Sequence, residues 1–274
     1  MTKPLVSVEW LDEHLNDESI LILDASIPKV TSAKESAADQ RVIPGSIRFD
    51  LKNDFSAKDG TFPNTFPSPE QFELGCRKLG INEDHTIVIW DDKGIYSSPR
   101  VWWMFKAMGH EKVYVLNGGL PAWIETKLET ADQHSKPFEK GNFTANFNEE
   151  MVKGFGFIRE NEKSNEATLI DARSSERFSG RVEEPRIGLR SGNIPGSINI
   201  PYHLMLEGNK FNDEESIHST LNQWINNDKP IVVSCGSGVT ACIVALAITM
   251  TYTNEIAIYD GSWTEYASII PDIS

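Results

Sequence analysis

Cys235 opens the most chemically suggestive stretch of the chain, Cys235-Gly236-Ser237-Gly238-Val239-Thr240-Ala241-Cys242. It follows the apolar, β-branched run Ile231-Val232-Val233 and leads into the apolar stretch Ile243-Val244-Ala245-Leu246-Ala247-Ile248. The pattern predicts a strand, a Gly-rich loop and a helix, with a thiol at the carboxyl end of the strand. Ligands of open α/β sheets bind beyond such strand ends. Gly236 and Gly238 allow tight curvature, so the backbone N–H groups of Gly236, Ser237, Gly238, Val239 and Thr240 can turn inward as an anion-binding nest. The helix N-terminus adds its partial positive charge. A thiolate at Cys235 is stabilised by such a cradle and becomes a nucleophile. The plainer reading, a small buried hydrophobe in a strand, fits a lone cysteine; the surrounding loop favours the nucleophile.

The other candidates for chemistry are weaker. Cys242 falls among apolar neighbours on the helix, and Cys76 lies in the helix-like PEQFELGCRKLG; both read as core residues. Three cysteines without a CxxC pair give neither a disulfide framework nor a structural zinc site. The six histidines are scattered without ligand-like spacing, so no metal is expected. A net charge of -14 argues against a nucleic-acid partner. The start, MTKPLVSVEWLDEHL, has no apolar signal core, and no apolar run is long enough for a membrane span. A reducing cytoplasm is the expected location, with no membrane partner.

The elements that must position Cys235 occur twice. Leu21-Ile22-Leu23-Asp24-Ala25 is echoed by Leu169-Ile170-Asp171-Ala172, and Ile43-Pro44-Gly45-Ser46-Ile47 by Ile194-Pro195-Gly196-Ser197-Ile198. Ile87-Val88-Ile89-Trp90-Asp91 is echoed by Ile231-Val232-Val233-Ser234-Cys235, and Gly118-Gly119-Leu120-Pro121-Ala122-Trp123 by Gly261-Ser262-Trp263-Thr264-Glu265-Tyr266. Four matches in one order indicate a duplicated domain. Strands are predicted near 20–24, 47–50, 86–91 and 112–116, then near 168–171, 197–200, 230–234 and 255–259. Helices are predicted over 69–79, 97–108 and 120–126, then over 215–227, 239–251 and 262–269. This alternation gives an α/β class with mainly parallel sheets flanked by helices. The expected organisation is a domain over 1–126, a polar linker over 127–150 and a second domain over 151–274.

The loop Cys235-Gly236-Ser237-Gly238-Val239-Thr240-Ala241, the IPGS segment in each half and Tyr259-Asp260-Gly261-Ser262-Trp263 together resemble the two-domain rhodanese-like sulfurtransferases, most of all their 3-mercaptopyruvate branch. The resemblance covers nearly the whole chain. It implies tandem rhodanese-like domains, the second catalytic and the first without a nucleophile, since Asp91 matches Cys235. It implies transfer of sulfur from 3-mercaptopyruvate through a Cys235 persulfide, held by the loop amides, to a small thiol, a thioredoxin-like dithiol or cyanide, without a cofactor. Glu176-Arg177-Phe178-Ser179-Gly180-Arg181-Val182-Glu183-Glu184-Pro185-Arg186 resembles the family's RFxGxxxEPR stretch, so Arg177 and Arg186 would hold the substrate; the alternative is an ordinary solvated charge run. Thiosulfate-using relatives carry a CRKGVT-like loop, whose basic residues are here Gly236 and Ser237. The mercaptopyruvate branch usually has a histidine where Pro63-Asn64-Thr65-Phe66-Pro67 has Asn64, and an acidic partner for it, for which Asp50 is the nearest match. Two other functions compete: a thiosulfate sulfurtransferase, and a sulfur carrier without turnover. A cysteine phosphatase would need arginine where the chain has Ala241.

Overall fold

The computed structural model describes residues 3–28, 41–137, 139–225 and 228–270. They fall into two compact units, the first drawn from 1–59, 66–148 and 208–211, the second from 60–65, 149–207 and 212–274.

The first unit contains β1 (Leu5–Val6), α1 (Val8–Glu13), β2 (Ile20–Asp24), β3 (Ile47–Arg48), α2 (Pro69–Lys78), β4 (Thr86–Trp90), α3 (Ser98–Ala107), β5 (Val113–Leu116) and α4 (Gly119–Glu125). Its five strands run in the order β1-β5-β4-β2-β3, and every neighbouring pair is parallel. The central strands β2 and β4 are near-continuous apolar runs because helices cover both faces of the sheet. One face packs Val8, Leu11, Ile22, Val88, Trp90 and Trp123 together. Elsewhere Phe49, Phe55, Phe72, Phe105 and Phe143 form an aromatic cluster. α2 begins where its sequence says it should: Ser68 Oγ accepts a hydrogen bond from the Gln71 N–H, and Pro69 takes the first helical position.

The second unit repeats this plan. It contains β6 (Val152–Lys153), α5 (Phe155–Ser164), β7 (Thr168–Asp171), α6 (Ser175–Phe178) and β8 (Ile198–Asn199). The short strands β9 (Leu206–Glu207) and β10 (Lys210–Phe211) come next, β10 counted with the first unit. Then follow α7 (Glu214–Leu221), β11 (Ile231–Ser234), α8 (Ala241–Thr251), β12 (Ile256–Tyr259) and α9 (Ser262–Ile269). The order β6-β12-β11-β7-β8 is the order of the first sheet, again all parallel. Ile158, Leu169, Val232, Tyr259, Trp263 and Tyr266 pack on one side. α8 is buried from Ala241 through Ile248, as a helix apolar on all sides must be. No helix among the described residues is long and apolar enough to cross a membrane.

The structure differs from the sequence reading in three places. β1, α1, β6, α5, α6, β9 and β10 had not been anticipated. α7 ends at Leu221 rather than running to 227: residues 222–224 form a turn, and 226–227 lie outside the described residues. The stretch 127–150, read as a linker, contributes to the first unit as far as Asn148. It is tied there by backbone bonds from Gly141 to Arg77, Phe143 to Ile81 and Asn146 to Met108, and Phe143 is fully buried.

Candidate functional site

β11 lies between β12 and β7 and delivers Cys235 to the carboxyl end of the second sheet, where the thiol is 2% exposed. Ser262 clamps the loop that follows. Its Oγ accepts hydrogen bonds from the N–H groups of Cys235 (3.2 Å) and Gly238 (3.1 Å) and donates to the Tyr259 carbonyl (2.8 Å). The Trp263 N–H bonds the Cys235 carbonyl at 3.0 Å, and the Thr264 N–H and hydroxyl bond the Gly236 carbonyl. Cys242 is fully buried and its thiol donates to the Gly238 carbonyl at 3.3 Å. One loop amide assigned to the nest, that of Gly238, is therefore engaged by Ser262. The amides of Gly236, Ser237, Val239, Thr240 and Ala241 meet no acceptor among the described residues. Some belong to the helix start, whose first N–H groups have no intrahelical partner.

The first unit displays what this strand–loop–helix geometry does with its amides. At the position of Cys235 it carries Asp91, fully buried. Asp91 Oδ2 accepts from the N–H groups of Tyr96 (2.9 Å), Ser97 (3.0 Å) and Ser98 (2.9 Å), and Oδ1 from the N–H of Lys93 (3.0 Å). The residues at the spacing of Lys93, Tyr96 and Ser97 from Cys235 are Ser237, Thr240 and Ala241. Gly94 (φ 93°) corresponds to Gly238 (φ 76°), and Gly119 (φ 51°) to Ser262 (φ 52°). At Gly119 a Cβ would lie 2.3 Å from the Asp91 carbonyl oxygen, which glycine alone avoids. The second unit keeps a side chain at the matching left-handed position, a strained conformation for serine that is retained with the clamp in place. Replacing Ser262 with Ala leaves two buried N–H groups without their acceptor, at a cost of about 1–3 kcal/mol. The expected result is a lower Tm and lower turnover together; unchanged turnover in Ser262→Ala would mean the loop holds its shape without the clamp.

Two arginines converge on the same loop. A Cβ added at Gly236 would stand 3.0 Å from Arg177 Nη2 and 3.5 Å from Arg186 Nη1. Arg186 Nη2 donates to Ser237 Oγ at 2.9 Å. Arg177, on α6, is less available than its sequence context suggested. Its Nε and Nη2 are bound by Glu184 at 3.1 and 2.5 Å. Glu184 also accepts from Arg173 Nη1 at 2.8 Å. Arg173 is in turn gripped by Asp171, and burial opposes its charge, but the Asp171 and Glu184 carboxylates outweigh this and raise its pKa above the ordinary value. Asp171 thus anchors the arginine network. Arg181 is exposed, and Arg190 stacks over Trp263 at 4.6 Å, a packing position.

Sequence reasoning missed Ser262, Glu184 and Tyr202. Tyr202 is half-buried just after β8; burial, its largest influence, raises its pKa, and Arg177 and Cys235 lie close enough to act on it in opposite senses. A tyrosine beyond a strand end was the only available signal. Asn64 is within the second unit, with Nδ2 donating to Ser237 Oγ at 3.0 Å. Asp50 instead caps its own turn, accepting from the Lys52 and Asn53 N–H groups.

The rhodanese-like domain model matches residues 7–126 and 158–269. The chain is 36% identical over 267 residues to the 3-mercaptopyruvate sulfurtransferase of Escherichia coli K12, covering 96% of this chain and 94% of that protein. It is 38% identical over 291 residues to the mitochondrial thiosulfate/3-mercaptopyruvate sulfurtransferase 1 of Arabidopsis thaliana, covering 97% and 76%. The crystal structure of SseA from Escherichia coli, a 3-mercaptopyruvate sulfotransferase, has a TM-score of 0.85 and 34% identity, covering 96% of this chain and 99% of that one. Two matching domain segments, two sheets of one strand order and full-length relatives agree: the chain belongs to the rhodanese-like family, with two such domains in tandem.

Proposed function

We propose that the chain is a sulfurtransferase that takes the sulfur of 3-mercaptopyruvate onto Cys235 and passes it to a thiol or cyanide. The observation that carries this reading is the Asp91 nest: the duplicated loop holds an anion with backbone amides where the second unit has a thiol and unengaged amides. The Cys235 thiolate attacks the donor sulfur. The S–S bond forms, the C–S bond breaks, and its electron pair leaves as the enolate of pyruvate, which takes a proton. Amides of Gly236, Ser237, Val239 and Thr240 stabilise the thiolate and then the persulfide. Gly238 supplies the curvature, its N–H being given to Ser262. Arg186 and the outward side of Arg177 hold the substrate carboxylate. An acceptor thiolate then attacks the outer sulfur, the S–S bond to Cys235 breaks, and the enzyme thiolate returns. Such a covalent cycle gives ping-pong kinetics. The second unit carries the chemistry; the first, with Asp91, carries no nucleophile. Free thiols at Cys76, Cys235 and Cys242 suit a reducing cytoplasm.

A thiosulfate donor is the second reading, favoured by the name of the Arabidopsis relative. Gly236 speaks against it, since the loop has no basic side chain of its own there. On purified protein, kcat/KM is expected to be higher with 3-mercaptopyruvate than with thiosulfate. Intact mass after donor treatment is expected to rise by one sulfur atom. Faster turnover with thiosulfate would reverse the donor assignment, and sulfur gain without repeated turnover would make the chain a carrier.

A further inference from the structure

Tyr202 follows β8 at the carboxyl edge of the second sheet, the edge that also carries Cys235. Backbone bonds set the distance between them. The Tyr202 N–H donates to the Ala172 carbonyl at 3.1 Å, and the Ala172 N–H to the Ser234 carbonyl at 2.8 Å. Asn199 Nδ2 donates to the carbonyls of Asp171 (3.0 Å) and Arg173 (2.9 Å), which ties the end of β8 to the end of β7. Cys235 is thus two strand spacings away, roughly 10 Å, a gap that a tyrosine side chain largely crosses. The phenol is half-buried and close enough to Cys235 and Arg177 for each to act on its charge. Its hydroxyl forms no hydrogen bond among the described residues, the Cys235 thiol included. A buried tyrosine hydroxyl ordinarily has a partner, so this one has a proton to offer a bound group.

We infer that Tyr202 is a catalytic residue whose hydroxyl donates a hydrogen bond to the sulfur in transit, the outer atom of the Cys235 persulfide. This rests on the sulfurtransferase reading and deepens it. The outer sulfur stands about 2 Å beyond the Cys235 sulfur, so it reaches neighbours that the bare thiol does not. It is also the one substrate atom common to both half-reactions, and in each an anion attacks it. When an acceptor thiolate arrives, its bond to the outer sulfur forms, the S–S bond to Cys235 breaks, and that electron pair returns to Cys235. The transferred sulfur keeps its own charge throughout, so two anions meet at one atom, and a hydrogen bond to that atom lowers their repulsion. The phenol suits the task. Burial, its largest influence, holds its pKa above the ordinary value; Cys235 adds to this and Arg177 opposes it. The proton therefore stays on the oxygen at neutral pH. Arg177 is the less free neighbour, since Glu184 binds its Nε and Nη2.

The test is Tyr202→Phe, which keeps the ring and removes the hydroxyl. In a ping-pong cycle, kcat/KM for 3-mercaptopyruvate reads the loading of sulfur and kcat/KM for a small thiol reads its removal. Both are expected to fall about tenfold, the effect of losing one hydrogen bond to a charged group, and the fall should be similar with cyanide as acceptor. Alkylation of the sulfur-free Cys235 by iodoacetamide, read by peptide mass, should keep the parent rate, because the hydroxyl does not reach the bare thiol. The Tm should be unchanged, because the hydroxyl holds no other residue. Parent-like values of both constants would show that the hydroxyl has no part in the reaction. A loss confined to one half-reaction would move it from the shared sulfur to that step's other substrate. Slowed alkylation or a lowered Tm would make it a packing group. Each of these results would overturn the inference. All of them leave sulfur loading of the parent intact, whereas failure of the parent to gain sulfur removes the sulfurtransferase reading and this inference with it.

Discussion

Cys235→Ser is expected to gain no sulfur from 3-mercaptopyruvate and to lose turnover by about 10⁴-fold or more, the scale on which a covalent nucleophile matters. The hydroxyl is far less acidic than a thiol and a poorer nucleophile towards sulfur, so the same amides cannot rescue it. A second substitution separates chemistry from folding. Cys235→Asp copies the residue that the first unit holds at this position, where four backbone N–H groups receive the Asp91 carboxylate. It should fold with a Tm no lower than the parent and remain inactive. A fall in Tm would mean that the two loops orient their amides differently. Residual turnover near the parent rate in Cys235→Ser would remove Cys235 as the nucleophile.

Glu184→Ala is expected to be the most destabilising single change near the site. The Glu184 and Arg173 side chains are both fully buried, and Glu184 bridges Arg173 to Arg177. Removing the carboxylate leaves the Arg173 charge with Asp171 alone and frees Arg177. Breaking a buried pair in this way costs about 3–5 kcal/mol, which for a domain of this size is on the order of 10–20 °C in Tm. Glu184→Gln keeps one acceptor oxygen and the shape, so its loss should be smaller. KM for 3-mercaptopyruvate should rise in both variants, because Arg177 is no longer held against Gly236. A thermal scan and a donor titration on the same preparations check both parts; an unchanged Tm in Glu184→Ala would show that water or another group replaces the carboxylate.

The parts that could be read from sequence were those with local signatures. The duplicated strands β2 and β7, and β4 and β11, are short apolar runs with matching neighbours, and the Cys235 loop states its own geometry through two glycines. The unanticipated elements lack such signatures. β1 and β6 are two residues each, too short to show alternation. α1 is six residues long, and α5 starts from Gly154 without a side-chain cap. One buried aromatic, Phe143, attaches a polar stretch to the first unit, and no periodicity announces it. At the site, Arg177 and Arg186 followed from a family resemblance. Ser262 had been noticed as part of a repeat and of a family-like segment but not as a clamp, because the amides it binds are 27 and 24 residues away in the chain. Asn64 meets Ser237 across 173 residues, a distance over which sequence pattern carries no contact information.

Gly236 has a consequence for how such a protein could change donors over evolutionary time. An added Cβ would press on Arg177, which Glu184 pins in place. The first atom of any side chain at 236 and the pinned guanidinium at 177 therefore stand in tight contact. A side chain at 236 is accommodated only if the Arg177 guanidinium gives way by a few tenths of an ångström, so a change at 236 is expected to be coupled to a change at Glu184 or Arg177.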